Sequence, residues 1–173
     1  MRKKSDNRMN RETVYFGGLS GRYAFLDMCY PSEFICPEDN ITYKSVEQYV
    51  QAKKALLFLR EDERNEIIYH RIICEKSSLR VKELGRDVRS FNKDVWNISR
   101  YEILKEGILQ KFKQNDFLKF QLCVELKDMF LIYVNHCDKV NGTGLTMKRI
   151  ENGEEWKGCN LLGRVLMEVR KML

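Results

Sequence analysis

Only two prolines and two histidines occur in the 173 residues, and the six cysteines include no C-x-x-C pair. Pro31 and Pro37 are too few for a proline-rich recognition segment or a stiff linker. His70 and His136 are far apart, and Cys29, Cys36, Cys74, Cys123, Cys137 and Cys159 are scattered, so no zinc spacing is present. These thiols read as reduced, several of them small core hydrophobes. Adjacent residues on a strand point to opposite faces, which argues against His136 and Cys137 as a Cys–His catalytic pair. The longest apolar run, Met129–Val134, is far too short to span a bilayer. No apolar segment follows the basic stretch Met1–Arg8, so residues 1–12 are expected to be a mobile basic tail and not a secretory signal, with the protein cytoplasmic. Helix-turn-helix, zinc-finger and RNP patterns are missing as well.

Charge and apolar content are plentiful. Hydrophobic residues make up 43% and charged residues 32%, as in an ordinary globular domain with a proper core. The formal charge of +6 suits a polyanionic partner, although runs such as Arg60-Glu61-Asp62-Glu63-Arg64 mix the signs and read as solvated helix faces.

The most informative segment is Ser45–Ala55. Ser45 is placed as an N-cap and Gln48 as the third-position partner of a capping box. At about 100° per residue, Glu47, Gln51 and Lys54 share a narrow stripe. Val46, Val50 and Leu57 form an apolar stripe beside it. One helix thus carries a carboxylate, an amide and an amine in a row, next to a face that packs on a core. That is the pattern of a cleft edge; a solvated charge ladder is the other reading. Lys53 is a neighbour that could be confused with Lys54 in any role.

Along the chain, strands are expected over Thr13–Leu19, Tyr23–Met28 and Phe130–Val134, from their β-branched and aromatic content. Phe34–Cys36 and Ile41–Tyr43 flank a hairpin turn, and Leu145–Ile150 lies between two Asn-Gly turns as a further hairpin arm. Helices are expected from Ser45 to about Arg60, from Asp62 to Cys74, and from Ser77 or Ser78 to Gly85. A long helix capped by Asn92 runs past Phe112, another capped by Asp116 reaches Leu126, and a last one starts at Asn160. Gly163 in that last helix is expected to permit close packing. The sum is an α+β domain over residues 13–173, with helix in excess and a small sheet.

Several pieces, in order, resemble the NADAR (YbiA-like) family. Ser45-Val46-Glu47-Gln48-Tyr49 with Gln51-Ala52 and Lys54 is similar to S-[VS]-E-x-[YF]-x-Q-A-x-K. Phe25-Leu26-Asp27-Met28 with Tyr30-Pro31 resembles F-L-S-N-x-x-P, and Leu84-Gly85-Arg86 resembles L-G-R. Trp96 matches an isolated tryptophan, and Lys111-Phe112-Lys113-Gln114-Asn115 resembles K-F-x-Q-N. Asp138–Gly144 is similar to D-x-x-W-G-x-G, and Trp156–Gly163 with Arg170 resembles W-x-G-x-N-x-L-G and a trailing arginine. Two departures stand out. Asn141 replaces a tryptophan, and Asp27-Met28 replaces Ser-Asn; both are expected at the substrate pocket.

The resemblance implies an N-glycosidase that cleaves ribose C1 from nitrogen without metal or cofactor. It implies either of two substrates: ADP-ribose on guanine bases of nucleic acid, or phosphoribosylamino-pyrimidine intermediates of riboflavin synthesis. Glu47, Lys54 and Asp138 are the implied catalytic residues, with Lys54 also a candidate for a Schiff base with ring-opened ribose. Trp96 is either a core ring or a platform for a base. Gln51, Asn141, Gly142 and Gly144 are placed against substrate, and Arg86, Asn160 and Arg170 against ribose or phosphate. Asp138 also fits a plain turn aspartate. A non-catalytic nucleotide or nucleic-acid binding module with the same fold is the rival class.

Overall fold

The computed structural model describes residues 12–173, so the tail expected over residues 1–12 lies, but for Glu12, outside the described residues. The chain is α+β, with helix predominating. Strand β1 (Thr13–Phe16) pairs in parallel with β4 (Phe130–Tyr133), Thr13 opposite Phe130. Strands β2 (Phe34–Ile35) and β3 (Thr42–Tyr43) form a small hairpin. The helices are α1 (Val46–Leu57), α2 (Asn65–Cys74), α3 (Ser78–Arg86), α4 (Lys93–Lys113), α5 (Asp116–Phe120), α6 (Met147–Glu151) and α7 (Leu161–Met172).

Helix α1 is the centre of the domain, touching α2, α3 and α4. It starts where Ser45 Oγ accepts from the Gln48 backbone N–H at 3.2 Å. The Gln48 side chain does not close the expected box on Ser45. Its Oε1 takes the Lys44 N–H, and its Nε2 donates to the carbonyls of Ile72 and Glu75, pinning the end of α2 to the start of α1. Val46, Val50, Ala52 and Ala55 are buried, as the apolar stripe requires. The amphipathic α7 buries Leu162, Val165, Leu166 and Val169 against α4 and β4. Gly163 lets it come so close: a Cβ there would sit 2.2 Å from the Leu131 carbonyl oxygen.

Four expectations change. The expected strand Tyr23–Met28 is a 3-10 turn at Ala24–Leu26, because its N–H groups bond back to carbonyls three residues earlier. The first strand stops at Phe16, where Gly17 and Gly18 begin a loop. Leu145–Ile150 is no hairpin arm; the Arg149 and Ile150 N–H groups turn back to the Thr146 carbonyl and open α6. The helix after Asn115 changes to a π turn over Gln121–Glu125 and does not stay α-helical to Leu126.

Candidate active site

Glu47 lies in the first turn of α1, buried at 4% exposure, and faces a cleft of about 300 Å³. Gln51, one turn later, donates from Nε2 to Glu47 Oε1 at 2.9 Å. Lys54, almost a turn further on, donates to the Gly85 carbonyl of α3 at 2.7 Å. The polar stripe therefore forms one wall of a concave site and not a solvated ladder. Its carboxylate pairs with an amine the sequence did not single out: Lys82 Nζ of α3 stands 3.7 Å from Glu47 Oε2. Lys82 precedes the Gly85-Arg86 piece by about a turn of the same helix, which was the one available signal.

Electrostatics separates the two amines. Burial raises the Glu47 carboxyl above its usual range, although Lys82 and the Gln51 amide pull the other way. Burial alone would lower Lys82, but Glu47 and the neighbouring Cys29 thiol outweigh it, and Lys82 is held protonated. Burial lowers Lys54, and the attraction of Glu47 does not offset this. Lys54 rests near aromatic faces, 4.7 Å from the Phe91 centroid and 5.8 Å from that of Trp96, which shelter it from water. Lys53 is different. Glu38 at 2.5 Å and Asp39 at 3.2 Å outweigh its burial and raise it, so Lys54 is the more easily deprotonated neighbour.

Asp138 and Asn141 line the same cleft. Asp138 Oδ1 accepts from the N–H groups of Val140 and Asn141, and Oδ2 from the Asn141 side chain at 2.9 Å. It is thus a turn aspartate and a cleft residue at once. Arg86 is exposed at the rim of the same cleft. The floor comes from Asp27, Met28, Tyr133 and Asn135, so both departures, at residues 27–28 and at Asn141, line the site. Asp27 is buried and fixed by the N–H groups of Gly18 at 3.0 Å and Cys29 at 2.9 Å. Burial lifts the Tyr133 hydroxyl to about 12. Trp96 is partly buried and packs on the core, yet also lines a second hollow that continues the cleft.

Some residues expected at substrate are placed elsewhere. Asn160 is buried in the left-handed region, and its amide bridges the Leu131 carbonyl and the Tyr133 N–H, locking α7 to β4. Arg170 holds the carbonyls of Leu126 and Met129 and does not line the cleft. Gly142 and Gly144 are buried loop positions: a Cβ on Gly142 would meet the Asp138 and Tyr133 carbonyl oxygens at 3.0 Å, and Gly144 has φ +69°. They let the loop fold on itself and do not touch the cleft. His136 and Cys137 do meet, with Sγ 3.1 Å from Nε2, because β4 ends at Tyr133 and the pair lies in a turn, not on a strand.

One buried amine supports the floor from behind. Lys111 Nζ donates to the carbonyls of Phe25 at 2.7 Å and Asp27 at 3.2 Å, and its burial lowers its pKa to about 7. A neutral amine still carries two donors, enough for both carbonyls. Between pH 7 and about 10.4 the unfolded chain keeps this proton and the folded one does not, so stability rises with pH in that window. Below about 7 both forms hold it and the dependence stops. Urea unfolding at pH 7 and 9 should show wild type gaining up to about 3 kcal/mol more than Lys111→Met. An equal gain in both proteins would remove Lys111 as the source.

The chain belongs to the NADAR domain family, whose model matches residues 15–173. It is 37% identical over 142 residues to N-glycosidase R617 of Acanthamoeba polyphaga mimivirus, covering 80% of this chain and 79% of that protein. It is 31% identical over 141 residues to Protein irg-1 of Caenorhabditis elegans, covering 79% of this chain and 63% of that protein. The NMR structure of the E. coli protein YbiA superposes with a TM-score of 0.73 at 23% identity, covering 95% of this chain and 89% of that one; it shares the fold. No helix among the described residues is long and apolar enough to cross a membrane.

Proposed function

We propose that the domain, residues 13–173, is an N-glycosidase that hydrolyses the bond between ribose C1 and a nitrogen. The observation that carries this is the single wall presenting Glu47, raised by burial, and Lys54, lowered by burial, to one cleft. Burial that raises a carboxyl favours the form that can give a proton to the departing nitrogen. Burial that lowers a lysine favours its neutral, nucleophilic form. The family and the N-glycosidase relative support the same chemistry. The substrate carries ribose joined to a base, as ADP-ribose on guanine or as a phosphoribosylamino-pyrimidine.

The steps follow from these positions. The free amine of Lys54 attacks C1 while the C1–N bond breaks and Glu47 gives its proton to the leaving nitrogen. The new Nζ–C1 bond carries an extra proton, which returns to Glu47. Glu47 then gives this proton to the ring oxygen as the C1–O bond breaks, and the ring opens to a protonated imine on Lys54. Water adds to C1 as Glu47, now a carboxylate, takes its proton. Glu47 passes that proton to the nitrogen and takes the one on the new hydroxyl as the C1–N bond to Lys54 breaks, which frees the sugar aldehyde and the amine. Asp138, which lines the same cleft, stabilises positive charge at C1, and Lys82 keeps Glu47 in place.

Glu47→Gln keeps shape and the contact to Gln51 but has no proton to give. Sugar release from an ADP-ribosylated guanosine oligonucleotide, or from the pyrimidine intermediate, should fall by about 10²–10⁴-fold with the melting temperature near wild type. Full turnover in this variant would take the acid role from Glu47.

A further inference from the structure

The cleft has two lobes with a common waist. Gln51, Lys54, Asp138 and Asn141 line both. The lobe of about 300 Å³ adds Asp27, Glu47 and Lys82 and is polar. The lobe of about 260 Å³ adds Val50, Leu104, Val140 and Leu161, with Trp96 and Arg100. Arg100 follows Trp96 by one turn of α4, so both side chains leave the same face. It is half-buried and has no hydrogen-bond or ion-pair partner among the described residues. A guanidinium left unpaired beside an aromatic ring, in a hollow that mixes apolar and polar side chains, is suited to a ligand that brings its own acceptors.

We infer that the second lobe holds the departing base and that Arg100 selects a base with an oxo group beside a ring-nitrogen acceptor. This rests on the N-glycosidase reading, since it divides one substrate between the lobes. The sugar takes the polar lobe, the flat ring lies against Trp96, and the C1–N bond crosses the waist beside Lys54 and Asp138. Two parallel N–H groups of Arg100 then meet an edge such as O6 and N7 of an oxopurine. An amino group at that edge would set donor against donor. A phosphate fits this lobe poorly, because Asp138 shares it and Lys54 is the sole other cation lining it.

Free bases test the lobe without turnover. Trp156 is the second tryptophan and is exposed, so Trp156→Phe leaves Trp96 as the reporter. Hypoxanthine should quench Trp96 at concentrations about 10- to 100-fold lower than adenine. Arg100→Met should abolish that preference, and Arg100→Lys, which keeps the charge without the fork, should abolish most of it. Equal quenching by both bases, no quenching by either, or a preference that survives Arg100→Met would overturn the assignment. Selective hypoxanthine binding by a protein that releases sugar from no ribose C1–N substrate would keep Arg100 as the selector and sink the glycosidase reading instead. Sugar release with no base preference would do the reverse.

Discussion

Borohydride added during turnover will leave sugar bound to Lys54. The imine between Nζ and C1 is the reducible species, and its reduction gives a stable secondary amine that peptide mapping locates. Lys54 is the amine of choice on physical grounds. Burial lowers it, while Lys53 is raised by Glu38 and Asp39 and Lys82 by Glu47. Lys54→Arg should keep a donor to the Gly85 carbonyl, yet neither trap sugar nor turn over, because guanidinium does not give up its proton. Activity should drop by on the order of 10³-fold or more, as when a covalent nucleophile is lost. Trapping at Lys53 or Lys82, or near-full activity in Lys54→Arg, would refute the covalent route. Hydrolysis assisted by Glu47 and Asp138 alone would then replace it.

Gly85→Ala should disable the site while leaving the protein folded. Within a helix this exchange ordinarily stabilises, by up to about 1 kcal/mol in the interior and less in a last turn such as that of Gly85. Here the new Cβ would stand 2.0 Å from Gln51 Oε1 and 2.5 Å from its Cδ. That oxygen is buried and has no hydrogen-bond partner among the described residues, so it rests against Gly85 without a bond to hold it there. The Gln51 side chain must swing away and release Glu47, whose Oε1 it holds. Misplacing a catalytic group by about 1 Å costs roughly 10²-fold in rate. We expect kcat to fall by about that factor with the melting temperature within a few degrees of wild type. Unchanged kcat would mean that Gln51 does not position Glu47.

What the sequence made legible was whatever one helix could hold. Glu47, Gln51 and Lys54 could be placed on one stripe because a single period fixes their directions. Lys82 and Arg100 could not, since each comes from a different helix and only tertiary packing turns it to the cleft. Asn160 stood in a family motif, which told where it falls in the chain but not that its amide would be spent on β4. The segment Tyr23–Met28 has strand composition, yet Lys111 captures its carbonyls at Phe25 and Asp27 and bends it into a turn. The long-range partner overrode a local preference.

The parallel pairing of β1 with β4 has a consequence for how the site comes into being. Thr13 waits for Phe130, a contact across most of the chain, and such pairings close slowly. Tyr133 of the cleft floor belongs to that late pair, and the amide of Asn160 that clasps it is made still later. As the chain leaves the ribosome, Asp27 and Met28 of the floor and α1 with Glu47 and Lys54 emerge well before Tyr133 and Asn135. The cleft therefore stays incomplete until β4 has paired with β1 and α7 has arrived to clasp it.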